Sequence, residues 1–196
     1  MDLHRHGAFK FPNAGLVASS QGRGWSGVAA EVRCHPPGDL PAIVPTFEQA
    51  IACFQELGLG CNVEIKPDEG REAETAEVAV ATLRRCWPAA LPPPLLSSFK
   101  EASLRAARQA APEFARALLV EELADDWPSH AEAVGAAGMN VGGKKLTAGR
   151  AAEVKRACLA LSVLTVNDPA DAQRFVAMGA DCIITDVPDK ILAALR

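Results

Sequence analysis

From Thr46 onward, apolar residues recur first at helical spacing and then in short runs, and the two periods alternate to the end of the chain. Thr46 and Gln49 have the spacing of a capping box, and Phe47, Ala50, Ile51, Phe54 and Leu57 mark one helical face. Gly58 and Gly60 close that helix. CNVEIKP (61–67) follows as a strand through Lys66, stopped by Pro67. Beyond the acidic loop Asp68–Glu72 the pattern predicts a helix to Cys86, with Ala76, Val80 and Leu83 inward. A Pro-rich linker (88–94) leads to the strand LLSSF (95–99) and a helix from Lys100 to Ala110. Then come a strand at Ala117–Val120, an acidic loop to Asp126, a helix at Trp127–Ala137 and a weak strand at Met139–Val141. Thr147 caps a helix to Leu159, and Leu161–Val166 is a strand. Asn167 or Asp168 caps a helix to Met178, Asp181–Thr185 is the last strand, and Pro188–Leu195 the last helix.

Six strands each followed by a helix imply a parallel sheet, either open and doubly wound or closed as a barrel. No Gly-rich turn follows the first strand, so a dinucleotide site is not indicated. Polar residues at strand ends favour the barrel: Glu64 and Lys66, Ser97 and Ser98, Thr165 and Asn167, Thr185 and Asp186. CNVEIKP is the most informative of these strands. Asn62, Glu64 and Lys66 share one face, and burying them unpaired would cost several kcal/mol, so that face lines a wet interior. A full barrel has eight strands. The expected fold is therefore α/β, a TIM-type (β/α) barrel with six of eight βα units, the first two missing or degenerate. Residues 1–43 read as an irregular segment, mostly loop with a short strand at Ser26–Val32, and 44–196 as the partial barrel.

Composition narrows the partners. Hydrophobic residues make up 49% and charged residues 22%, as in a soluble globular chain, and the net charge of −4 with no basic cluster gives no sign of nucleic-acid binding. No apolar run approaches the roughly 20 residues of a membrane span, and the N-terminus has no secretory core. Six scattered cysteines without CxxC spacing fit reduced thiols, so a cytoplasmic location is expected.

Glu64 is the leading candidate for chemistry: a carboxylate at a barrel mouth suits a hard divalent cation, the alternative being an ion pair with a neighbouring lysine. Lys66, on the same face, holds a phosphate oxygen as a point charge or merely neutralises Glu64. Asn167 is a helix cap or a substrate contact. Ser97 and Ser98 suit hydrogen bonds to phosphate, although no GxSxG elbow surrounds them. His4 and His6 are either a catalytic pair or solvated side chains of a terminal segment, whereas His35 and His130 read as structural or solvated.

NVEIKP (62–67), LLSSF (95–99), LTVND (164–168) and GADCIITDVP (179–188), with PTFEQAI (45–51) ahead of them, resemble the glycerophosphodiester phosphodiesterase family in order and spacing, from Val44 to Arg196. The resemblance implies a TIM barrel that hydrolyses small-molecule glycerophosphodiesters to glycerol 3-phosphate and an alcohol. It also implies a divalent metal, Mg²⁺ or Ca²⁺, held by three carboxylates, with two histidines as general acid and base. Glu64 matches the third metal ligand and Lys66 the basic residue facing substrate. The chain departs from the family at its start. His4-Arg5-His6-Gly7 imitates the family's His-Arg-Gly with an extra histidine, and no Glu-x-Asp precedes residue 60. Two readings follow. One is a metal-dependent phosphodiesterase. The other is a non-catalytic partial barrel that binds a phosphoryl ligand or a partner chain. In either, two unpaired sheet edges offer a route to self-association.

Overall fold

The computed structural model describes residues 46–195 and, before them, the backbone of four three-residue strands: β1 (Ala8–Lys10), β2 (Gly15–Val17), β3 (Gly27–Ala29) and β4 (Arg33–His35). β1 pairs antiparallel with β4, and β2 with β3. β3 falls within the strand expected at Ser26–Val32. His4, His6, Glu31 and Asp39 lie outside the described residues.

From Thr46 the elements follow the hydrophobic pattern closely. Helix α1 (Phe47–Leu57) carries both bonds of the capping box, with Gln49 N–H donating to Thr46 Oγ1 at 3.2 Å and Thr46 N–H to Gln49 Oε1 at 2.7 Å. Gly58 ends it in the left-handed region at φ 65°. Then come β5 (Asn62–Glu64), α2 (Glu72–Cys86), β6 (Leu95–Ser98), α3 (Glu101–Ala110) and β7 (Ala115–Val120). The C-terminal half is α4 (Trp127–Val134), β8 (Gly138–Gly142), a 3-10 turn at Gly143–Lys145, α5 (Ala148–Arg156), β9 (Ala160–Leu164), α6 (Pro169–Ala177), β10 (Cys182–Ile183) and α7 (Pro188–Leu195).

β5 to β10 form one parallel sheet in chain order, β10-β9-β8-β7-β6-β5. Among the described residues β5 and β10 are its edges, so the six strands make the curled half of a barrel rather than a closed one. The backbone of β3 lies near β5, and that of β2 near β10 and α7, without joining the sheet. No helix among the described residues is long and apolar enough to cross a membrane.

Alternation gives the sheet two unlike faces. Val63, Ile65, Leu96, Leu118, Met139, Val141, Leu161, Val163 and Ile183 point outward into two apolar clusters shared with the helices. The opposite, concave face holds the intervening residues in register. One row runs from Glu64 through Ser97, Ala117 and Gly138 to Ala160. The next, nearer the C-terminal ends, runs from Leu119 through Asn140 and Ser162 to Cys182.

Several boundaries differ from the pattern for identifiable reasons. β7 begins two residues early because Arg116, although charged, is buried and its guanidinium donates to backbone carbonyls. Phe114 O lies at 2.5 Å, and Val134 O and Gly135 O, at the end of α4, at 3.1 Å each. Burial, aided by nearby Arg108, pulls its pKa below the usual arginine value. α4 stops at Val134, three residues short, because Gly135 turns left-handed and Ala136 N–H bonds back to Ala131 O. α5 stops at Arg156 rather than Leu159, where Cys158 adopts φ 59°. The weak strand at Met139–Val141 becomes the fully buried β8.

Close approach fixes the end of β8. A Cβ on Gly142 would stand 2.5 Å from the backbone oxygen of Glu121, whereas a Cβ on Gly149 in α5 would meet nothing nearer than Thr147 Oγ1 at 3.9 Å. Gly142→Ala is therefore expected to cost about 1–3 kcal/mol through strain, and Gly149→Ala to be neutral or stabilising by up to about 1 kcal/mol. Urea denaturation of the two variants beside the parent checks this, and equal midpoints would contradict it.

Candidate functional site

The site is built on β5, and β5 is positioned by β6. Leu95 N–H donates to Cys61 O at 2.9 Å and Ile65 N–H to Ser97 O at 2.7 Å, which sets Glu64 beside Ser97. The Ser98 hydroxyl, fully buried, donates to Ile65 O at 2.6 Å and accepts from Lys100 N–H at 3.0 Å. Ser98 is thus committed to structure: it ties the end of β5 to the loop that opens α3. Ser97 points the other way, onto the concave face, where its Oγ is buried without a hydrogen-bond partner.

With Cys61, Val63 and Ile65 held in the apolar cluster, Asn62, Glu64 and Lys66 must face the concavity. The expected alternation is present, but the strand is shorter than the pattern predicts, Asn62–Glu64 rather than through Lys66. Glu64 is half-buried and Lys66 exposed, so acid and base stand in successive rows toward the C-terminal mouth. Phe99, just past Ser98, is 43% exposed at the same end of β6.

Asn167 and Asp186 meet at the ends of β9 and β10. Asn167 Oδ1 accepts from Thr185 Oγ1 at 3.0 Å and from Asp186 N–H at 2.9 Å, while its Nδ2 donates to Asp186 Oδ2 at 3.0 Å. The helix cap is Asp168, whose Oδ1 accepts from Ala170 and Asp171 N–H at 2.8 and 3.0 Å. Asn167 instead latches the two strand ends together and keeps one amide hydrogen for another partner.

His130, expected to be structural or solvated, is a half-exposed link between two helices. Its ring nitrogens lie 3.2 Å from Asp126 Oδ2 and 2.5 Å from Glu101 Oε1, joining α4 to α3. Hydrogen bonds from these two carboxylates raise its pKa. Partial burial pushes Glu101 up, but its bonds to His130 and Arg105 outweigh this and hold it below the usual range.

The residue that the pattern missed is Asn140. It sits in the middle of β8, 1% exposed, with neither amide atom hydrogen-bonded. The available signal was an amide at an alternate position of an otherwise apolar strand, GMNVG. For a divalent cation, β5 offers the Glu64 carboxylate, with Ser97 opposite it on β6 and Asn62 two residues back on the same face. No group of three His, Cys, Asp or Glu among the described residues is placed to hold a metal ion. The described half of the barrel therefore fits a cation only in part.

The sequence profile of the Glycerophosphoryl diester phosphodiesterase family matches residues 12–190. A phosphodiesterase of Oleispira antarctica, solved in complex with the product sn-glycerol-3-phosphate, is 32% identical with a TM-score of 0.75, over 78% of this chain and 61% of its own. A glycerophosphodiester phosphodiesterase of Parabacteroides distasonis is 23% identical with a TM-score of 0.65, over 78% of this chain and 64% of its own. The chain thus spans less than two thirds of these relatives. The EAL domain of FimX from Pseudomonas aeruginosa, solved bound to c-di-GMP, shares the fold at 15% identity and a TM-score of 0.60, over 91% of this chain and 88% of its own. Comparison with curated proteins gave no match.

Among the described residues β5 is held by β6 alone, which makes Ser98 the sensitive point. Ser98→Ala is expected to lower stability by about 1–3 kcal/mol and to speed amide hydrogen exchange in β5 more than in β8. Unchanged exchange in β5 would show that the hydroxyl does not anchor the strand.

Proposed function

Because the chain belongs to the glycerophosphoryl diester phosphodiesterase family, we propose that it is a metal-dependent phosphoric diester hydrolase, cleaving glycerophosphodiesters to glycerol 3-phosphate and an alcohol. The observation that carries the reading is the position of Glu64. It is a half-buried carboxylate on the concave face of a parallel β/α sheet, at the C-terminal end of its strand, with Lys66 next on the same face. The product bound in the Oleispira antarctica structure supports the substrate class.

Each residue then has a role. Glu64 gives an oxygen to a divalent cation, Mg²⁺ or Ca²⁺, which when bound offsets the phosphodiester charge. The other ligands come from outside the described half, where Glu31 and Asp39 are available, or from water. Lys66 holds a phosphate oxygen as a point charge. Asn167, fixed by Thr185 and Asp186, offers its remaining amide hydrogen to the substrate. His4 and His6 act as general base and general acid, one taking the proton of the attacking group and the other protonating the leaving alcohol. The unit responsible is the partial barrel at 44–196, with 1–43 as its irregular companion. The protein works in the cytoplasm on glycerophosphodiesters derived from lipids, and copies associate through the edges β5 and β10.

One observation favours a second reading, a scaffold that binds a phosphoryl ligand without turning it over: no group of three His, Cys, Asp or Glu among the described residues is placed to hold a metal ion, where hard cations take about six or more oxygens.

Hydrolysis of glycerophosphocholine by the purified chain, with Mg²⁺ or Ca²⁺ and an EDTA blank, separates the two. Glu64→Gln is expected to lower kcat/KM by about a hundredfold or more, the scale of losing one key electrostatic contact to the transition state. A folded chain with no metal-dependent release of glycerol 3-phosphate would support the scaffold.

A further inference from the structure

Among the described residues, three side chains on the concave face hold buried polar atoms without hydrogen-bond partners: Asn62 through Oδ1, Ser97 through Oγ, and Asn140 through both amide atoms. Ser103, also unpartnered, belongs to helix α3. A buried amide with nothing to bond costs about 1–3 kcal/mol or more, so folded proteins rarely keep one without a use. Asn140 is the extreme case, since donor and acceptor are both unsatisfied at 1% exposure.

Its place in the sheet gives that use a chemistry. Asn140 stands between Leu119 and Ser162, in a row that ends at Cys182. This row is one step closer to the mouth than the row of Glu64, and in the register of Lys66 three strands away. Burial pushes the Cys182 thiol up to about 12, so it stays a neutral thiol. The described side chains of the row from Leu119 to Cys182 therefore bear no charge, while the charged pair Glu64 and Lys66 is on β5. An anion belongs on the β5 side. A neutral group that both donates and accepts belongs opposite. A carboxamide next to a serine hydroxyl matches an alcohol, which has one donor hydrogen and two acceptor lone pairs.

We propose that Asn140 is a positioning residue that hydrogen-bonds a hydroxyl of the glycerol moiety, while the phosphoryl group lies toward Glu64 and Lys66. This rests on the proposed function above and deepens it: the wall formed by β8 and β9 selects a polyol, and β5 takes the anion. An enzyme site built to bond a hydroxyl discriminates against ligands lacking it, because its own polar groups are then left unpaired.

The test is equilibrium binding of sn-glycerol 3-phosphate and of inorganic phosphate, by calorimetry with Mg²⁺ present, to the full chain and to Asn140→Leu and Asn140→Ala. Binding is read directly, so the result does not need turnover. In Asn140→Leu the Kd for glycerol 3-phosphate should rise at least about tenfold, the Kd for phosphate should stay within about twofold, and the melting temperature should hold or rise because a buried unpaired amide is gone. Asn140→Ala should show the same split in affinity even where its smaller side chain leaves a void that lowers stability. Unchanged glycerol 3-phosphate affinity, or equal loss of both ligands with a lower melting temperature, would overturn the proposal. If wild type binds phosphate but gains nothing from glycerol, this inference falls and the proposed function stands. If wild type binds neither, both fall.

Discussion

The pairing of β5 with β6 is the constraint on which the candidate site depends. β5 carries the acid and the base of the concave face, yet it is an edge strand among the described residues, held by the sheet on one side only. Its register is set by the ladder bonds to β6 and by the Ser98 hydroxyl on Ile65 O. A slip of one residue would turn Glu64 and Lys66 into the apolar cluster and bring Val63 and Ile65 onto the wet face. Both outcomes cost several kcal/mol. Packing of Val63 and Ile65 against α1 and α2 therefore fixes the chemistry as firmly as the hydrogen bonds do.

The two faces divide the labour. The outer face is apolar apart from Ser98 and Arg116, whose polar atoms bond backbone groups, and it builds the core with the helices. The concave face carries Asn62, Glu64, Lys66, Ser97, Asn140, Ser162 and Cys182 among small and apolar residues. Such a face is poor as a core and suited to a ligand. Among the described residues the sheet has edges at β5 and β10, which a closed barrel would hide. The short strands β2 and β3 come near those two edges, but neither adds a ladder to them.

Much of this was legible in the sequence for physical reasons. Helix α1 was readable from its capping box and glycine stop, since both signals are local. The parallel sheet followed from strands alternating with helices, and the polar face of β5 from a period of two. Polar residues at the strand ends pointed to a barrel, and the family motifs implied the same. What was not legible depended on partners far along the chain. Arg116 reads as a strand breaker until the carbonyls at the end of α4 are there to receive it. Ser97 and Ser98 look alike in sequence, yet alternation and one carbonyl separate a structural hydroxyl from a free one. Asn167 looked like a cap because the cap is its neighbour, Asp168. Asn140 was hidden in a strand too short and glycine-rich to register strongly.

The claim at the centre of this account is that Glu64 and Lys66 share a ligand across the concave face rather than serving only the fold. A crystal structure of the chain grown with Ca²⁺ and sn-glycerol 3-phosphate tests it most directly. The cation is expected at the Glu64 carboxylate, with a phosphate oxygen at Lys66 Nζ and the glycerol toward β8. A Glu64 carboxylate taken up wholly by protein groups, with the ligand bound elsewhere or absent at saturating concentration, would contradict it.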